Sequence, residues 1–216
     1  MSSGVAERMR PERRRALVRV AAREFAQAGF AQASLNRVIR ECGLSKSSFY
    51  HFVPSKQELF ALVVRELGGE LLARLAVPEP HELEGEAFWP GIGAIAARLA
   101  RASGEDESYL AFGRMFYLAR APTDASDAVA RALSAVDDWL GRVVEVGRTS
   151  GQVRTDLPAS LQTRMLVAVL RALDEWTVGH ASEIDEPELD AILDAQLAAL
   201  RRLLAPEPAT PPASPA

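Results

Sequence analysis

The chain has a single cysteine, Cys42, which excludes an internal disulfide framework and agrees with a reducing compartment. Aromatics are scarce, at 6% of 216 residues. No uncharged apolar run reaches the ~18 residues that read as a membrane span, and the arginine-bearing start is not followed by an apolar signal region. The expectation is a cytoplasmic protein with no membrane contact. His51, His81 and His180 are scattered, without metal-ligand spacing to one another or to Cys42. A glycine-rich phosphate loop, a nucleophile elbow and an HExxH motif are all missing. The chain is therefore read as a non-enzyme, with no catalytic residue, no metal site and no cofactor.

What is present is helix-forming sequence with an uneven charge. Hydrophobic residues at 48% and charged residues at 25% are ordinary for a soluble protein, and Ala, Leu, Arg and Glu recur over long windows. Residues 1–60 hold eleven Arg or Lys against five Asp or Glu, a net of +6, and the remainder carries fourteen against twenty-four, a net of -10. A basic head on an acidic body suits a polyanion-binding module attached to a domain with another task.

Apolar periodicity predicts helices from Pro11 to Gly29, Leu35 to Glu41, Lys46 to Phe52, Lys56 to Ala76, Ala87 to Ala102, Ser108 to Arg120, Asp127 to Arg148, Ala159 to His180 and Glu188 to Leu204. Residues 1–9 are expected to be mobile. Residues 77–86 read as an acidic linker, Ser103 to Glu107 as a polar turn and 149–159 as a loop. The fold class is all-α, with a head at 10–57, a helical body at 58–205 and a disordered Pro-rich tail at 206–216.

The densest information lies between Ser34 and Leu59. Ser34, Ser45 and Ser55 are placed to cap successive helices. In the short third helix Leu44, Phe49 and Val53 should point inward, leaving Lys46, Ser47, Ser48, Tyr50 and His51 outward. Such donors suit phosphate oxygens and base edges, and a helix of this length fits a B-DNA major groove. Lys56 opens the fourth helix, where the macrodipole prefers an anion; a phosphate docked there would resolve the conflict. Cys42 reads as the filling of a tight packing slot, with a redox sensor as the alternative.

In the body, Trp89, Tyr109, Phe112, Met115, Phe116, Trp139, Met165 and Trp176 are either core or the lining of a small-molecule cavity, which would then take an apolar or aromatic ligand. Leu166, Val169 and Leu173, with Leu189, Leu193, Leu197 and Leu200, lie on two late helices with wide apolar faces. Those faces fit either a monomer's core or an isologous dimer interface.

Residues 15–60 resemble the DNA-binding domain of the TetR/AcrR family of transcriptional regulators. The resemblance rests on Phe25 and Gly29, on Val38-Ile39-Arg40-Glu41-Cys42-Gly43, and on the run from Ser45 to Lys56 followed by Glu58-Leu59-Phe60. Ser47, His51, Phe52 and Val53 depart from the residues common in that family. The resemblance implies a helix-turn-helix over Leu35 to Phe52 and a double-stranded DNA operator. Ser34, Ser48, Tyr50 and Lys56 would then touch phosphate or DNA, and Lys46 phosphate or a base. It also implies a homodimer through the last two long helices and a small-molecule effector that relieves repression. The run Gly151-Gln152-Val153-Arg154-Thr155-Asp156 resembles the turn before the family's eighth helix. The alternatives are a helical adaptor whose body binds a protein partner, and a transcriptional activator.

Overall fold

The computed structural model describes residues 9–117, 127–181 and 183–206. Of the start expected to be mobile, residues 1–8 lie outside the described residues while Met9 is buried; residues 118–126, the tail beyond residue 206 and the side chain of Phe116 also lie outside them. Among the described residues every regular element is helical. The order is α1 Pro11–Gln32, α2 Leu35–Glu41, α3 Lys46–Phe52 and α4 Lys56–Leu75, then short 3-10 turns at Pro80–Leu83 and Gly85–Ala87. It continues with α5 Phe88–Glu105, α6 Glu107–Tyr117, α7 Asp127–Thr149, α8 Ala159–His180 and α9 Glu186–Leu204. No helix among the described residues is long and apolar enough to cross a membrane.

Three local expectations change. Gly29 does not stop α1 but kinks it, at φ 69° and ψ 163°, a backbone conformation that only glycine adopts without strain. The chain then resumes helix as far as Gln32. The expected turn from Ser103 to Glu107 shrinks to one non-helical residue, because α5 runs on to Glu105. Asp106 makes the break, and its carboxylate accepts from the Ser108 backbone N–H at 2.9 Å, opening α6. The linker is more ordered than its composition suggests, since Leu83 is buried at 2% exposure and the two 3-10 turns fold around it.

The apolar stripes build two cores. The first joins Leu17, Val18 and Phe25 of α1 to Val38 and Ile39 of α2, Phe49 of α3, and Leu59, Phe60 and Val63 of α4. At its centre Phe25 and Phe60 meet edge to face at 5.1 Å, and Phe30 meets Phe60 the same way at 5.5 Å. This core does not end with the head. It continues through Leu67 of α4 to Ala102 of α5 and to Tyr109 and Met115 of α6, so α1 packs on α6 as well as on α4. An ion pair fastens the same seam, Arg19 Nη2 to Asp106 Oδ2 at 2.7 Å. Burial alone would raise the Asp106 carboxyl, but the hydrogen bonds from Ser108 and the Arg19 guanidinium outweigh it and hold the carboxyl below its ordinary range.

The second core lies between α5, α7, α8 and α9 and holds Leu83, Phe88, Trp89, Val143, Val144, Val153, Leu166, Leu200 and Leu204. Its lower end is tied by polar groups. Gln162, 1% exposed, donates from Nε2 to the Arg154 carbonyl at 2.7 Å and accepts from Arg148, while the Arg154 N–H donates to the Leu204 carbonyl at 2.7 Å. Gln162 and Arg148 thus hold the α7–α8 turn, and the backbone of that turn is tied to the end of α9.

Close helix approach depends on particular glycines. A Cβ at Gly147 would fall 2.5 Å from the Val153 side chain and 2.7 Å from the Phe88 ring. A Cβ at Gly68 would instead meet the Phe112 ring at 3.4 Å, and one at Gly69 would face open space; α4 runs through both glycines unbroken. Gly147→Ala should therefore lower unfolding free energy by about 1–3 kcal/mol through overpacking. Gly69→Ala should leave it unchanged or raise it by up to about 1 kcal/mol through helix propensity. Urea denaturation of the two variants checks both, and equal stability would contradict the packing at Gly147.

Candidate nucleic-acid interface

The site is built from two seven-residue helices, which are too short to persist alone in water. Each is fixed by a serine at its start and by apolar anchors beneath. Ser34 Oγ accepts from the Arg37 N–H at 3.3 Å and caps α2, while Val38 and Ile39 are buried. Ser45 Oγ accepts from the Ser48 N–H at 3.1 Å and caps α3. Phe49 is fully buried and Val53 is 1% exposed, so α3 is pinned by its inner side. Between the helices Gly43 turns the chain at φ 61°, in the left-handed region that disfavours a side chain.

That anchoring decides what α3 displays. Lys46, Ser47, Ser48, Tyr50 and His51 are all exposed. The Ser45 hydroxyl donates to Ser48 Oγ at 2.8 Å and lies 3.1 Å from Ser47 Oγ, so three hydroxyls form one exposed cluster beside Lys46. Tyr50 stands 46% exposed, its ring edge-on to Phe49 at 5.3 Å. Lys46 has no ion-pair partner among the described residues.

Lys56 is placed differently from what its position at a helix start suggests. Its ammonium donates to the carbonyls of Phe30 at 3.1 Å and Ala31 at 3.0 Å, and sits 5.7 Å from the Phe30 ring centre. The charge is thus met by the carbonyl end of α1, where a cation is electrostatically favoured. Two of its three N–H donors are engaged and one remains for another acceptor.

Glu24 gave no signal in the sequence. It is 5% exposed on α1, accepts from the Ser34 N–H at 2.7 Å, and holds Arg37 Nη1 at 3.0 and 2.8 Å. Cys42 is half-buried against the first core, which fits a packing role. Burial, with Glu41 adding to it, pushes its thiol above the ordinary range, the opposite of what an activated thiolate needs.

Of the eight body residues considered for a cavity, the seven whose side chains are described are not brought together. Tyr109, Phe112 and Met115 belong to the first core, with the Arg74 guanidinium 5.6 Å from the Tyr109 ring centre. The Tyr109 hydroxyl is buried without a hydrogen-bond partner, and desolvation raises its ionisation above the usual range. Trp89 and Trp139 belong to the second core, where Trp139 donates from Nε1 to the Pro78 carbonyl at 3.0 Å. Met165 is half-buried, and Trp176 is 46% exposed and stacked on His180 at 4.5 Å. An open groove exists elsewhere, lined by residues such as His81, with Asp138, Arg142 and Glu145 of α7, and Thr163 and Arg164 of α8, and none of those seven lines it. Among the described residues no cluster of His, Cys, Asp and Glu could hold a metal.

Five of the seven residues expected at a dimer face contribute to the second core of the protomer. Leu166 and Leu200 are buried in the second core, Val169, Leu173 and Leu197 pack against it, and Leu189 and Leu193 are half-buried. The opposite side of the same helices is what faces out. Leu161, Ala168, Ala172 and Trp176 of α8, with Ala191, Ala195 and Ala199 of α9, form an exposed apolar stripe.

Known proteins share both the head and the whole architecture. Residues 17–63 match the family model described as bacterial regulatory proteins, tetR family. A tetR family transcription regulator from Shewanella sp. PV-4 superposes with TM-score 0.68 at 16% identity, over 90% of this chain and 99% of that one. The regulator FadR from Bacillus subtilis, solved with stearoyl-CoA, gives 0.68 at 14% identity over 86% and 96% of the two chains. The ketosteroid regulator KstR2 of Mycobacterium tuberculosis gives 0.63 at 18% identity over 92% and 98%. Among curated proteins none matches in sequence. The matched segment runs from α1 into α4, so the head is a tetR-family domain, and the chain as a whole shares the all-helical fold of these solved regulators.

Proposed function

We propose that the protein is a homodimeric repressor that binds a two-fold operator and is released from it by a small apolar or aromatic molecule. The observation that carries this reading is α3, a helix whose inner side is anchored by Phe49 and whose outer side is an exposed row of donors. Lys46, Ser47, Ser48, Tyr50 and His51 would enter the major groove, while Ser34 and the free donor of Lys56 would meet the backbone. The proposed division assigns 10–57 to operator binding and 58–205 to effector binding and dimerisation.

Dimerisation is proposed through α8 and α9, on the exposed stripe, with the half-buried Leu189 and Leu193 available to it and the other five expected residues engaged in the second core. A contiguous apolar strip on a protomer, continued over two neighbouring helices, is what an isologous interface requires. Effector binding is proposed in the body near α5, where Ile95, Ala96 and Leu99 are only half-buried although they lie mid-helix. The relatives' ligands support an apolar occupant, since FadR was solved with stearoyl-CoA and KstR2 is named for ketosteroids. Coupling has a physical route, because the core is continuous from α3 through α4 to α6 and Arg19–Asp106 spans the same seam. An effector that binds one head spacing better than the other would shift the equilibrium between them.

The test is binding to duplex DNA from upstream of its own gene across a range of salt. Sequence-specific, salt-dependent binding is expected, and its absence in every effector state would sink the proposal. Lys46→Ala should change the ranking of duplex sequences, by about 1–3 kcal/mol at the base pair concerned; an unchanged ranking would remove its base-reading role. Ala172→Arg, on the exposed stripe, should yield a folded monomer in sedimentation. A dimer that survives it would place the interface elsewhere.

A further inference from the structure

Among the described residues Glu24 is the only buried carboxylate, and it lies within the apolar stripe of α1. A charge there opposes folding unless it is paired and hydrogen-bonded. Its partners are the Ser34 N–H at 2.7 Å and a single nitrogen of Arg37, which approaches both carboxylate oxygens at 3.0 and 2.8 Å. Arg37 is therefore held by one corner of its guanidinium. Nε and Nη2 have no protein partner among the described residues, and the side chain is 48% exposed.

A long side chain normally loses rotamer freedom when it binds, and that loss weakens the interaction. Here the loss has already occurred on folding. The planar fork that remains matches a phosphate oxygen pair. Arg37 lies in the first turn of α2, and in a helix-turn-helix the first helix crosses the nucleic-acid backbone. Arg40, on the same helix and exposed, has no such anchor among the described residues.

We propose that Arg37 is a clamp on the operator backbone and that buried Glu24 is its positioning residue. The proposal rests on the DNA-binding role of α2 and α3. Glu24 acts through Arg37 and touches no DNA, and the same carboxylate fixes the start of α2 through Ser34, so clamp and helix keep one geometry.

Arg37→Ala should weaken binding to the upstream duplex and to random-sequence duplex by the same factor. It should also make the slope of log affinity against log salt shallower by about 0.9 for each phosphate that is no longer neutralised. Arg37→Lys should keep the slope but bind more weakly, since a point charge replaces the fork. Glu24→Gln retains the one oxygen that Ser34 N–H and Arg37 Nη1 share, but it loses the negative charge and the second oxygen that hold the guanidinium. It should reduce affinity when Arg37 is present and have no further effect in the Arg37→Ala background. A wild-type slope in Arg37→Ala would overturn the clamp, and a Glu24→Gln loss of equal size in both backgrounds would overturn the positioning role. If Glu24→Gln fails to fold by circular dichroism, the two Arg37 variants still decide the clamp. Failure of the wild type to bind any duplex would instead remove the DNA-binding reading beneath it, so the two failures are distinct.

Discussion

A seven-residue helix has no stability of its own in water, and α3 exists only because Phe49 and Val53 are buried under it and Ser45 caps it. That dependence organises the molecule. Burying Phe49 requires a floor of large apolar side chains, which α1 and α4 supply through Phe25, Phe30 and Phe60. Building the floor fixes the angle at which α3 leaves the protein, and therefore which side chains are outermost. The interface is thus a consequence of the core below it, and its precision is set by residues that never reach the surface.

The same floor extends beyond what the head needs. Leu67, Ala102, Tyr109 and Met115 carry it into α4, α5 and α6, so the head has no boundary of solvent beneath it. A continuous packed interior transmits displacement, because close-packed side chains cannot absorb it independently. The break between α5 and α6 is a single residue, Asp106, and it is held from α1 by Arg19. A change in the body that moves this joint meets the head directly, as well as through the longer path along α4.

Much of the fold is legible in the sequence, and the illegible parts share a cause. Helices, caps and the inward set Leu44, Phe49 and Val53 depend on local spacing, which a chain states openly. Glu24 and Gln162 are invisible there, because a buried polar residue makes sense only once its distant partners, Arg37 in one case and Arg148 with Arg154 in the other, are in place. Lys56 conflicts with the dipole of its own helix, when in the fold it answers that of α1. The leucines of α8 and α9 are plainly apolar, but a helix apolar over a wide arc does not state which side meets its own core. The scattered aromatics of the body show the same limit: only the packing sends Tyr109 and Phe112 to one core and Trp89 and Trp139 to the other, and leaves Trp176 exposed.

The central claim is that the outward side of α3 and its flanks meet duplex DNA while the body does not. Amide hydrogen exchange of the full chain, with and without the duplex from upstream of its own gene, tests this most directly. Added protection should be concentrated between Ser34 and Lys56, with changes elsewhere limited to the α4–α6 seam. Protection mapping onto α7 to α9 with none on α2 or α3 would contradict the account.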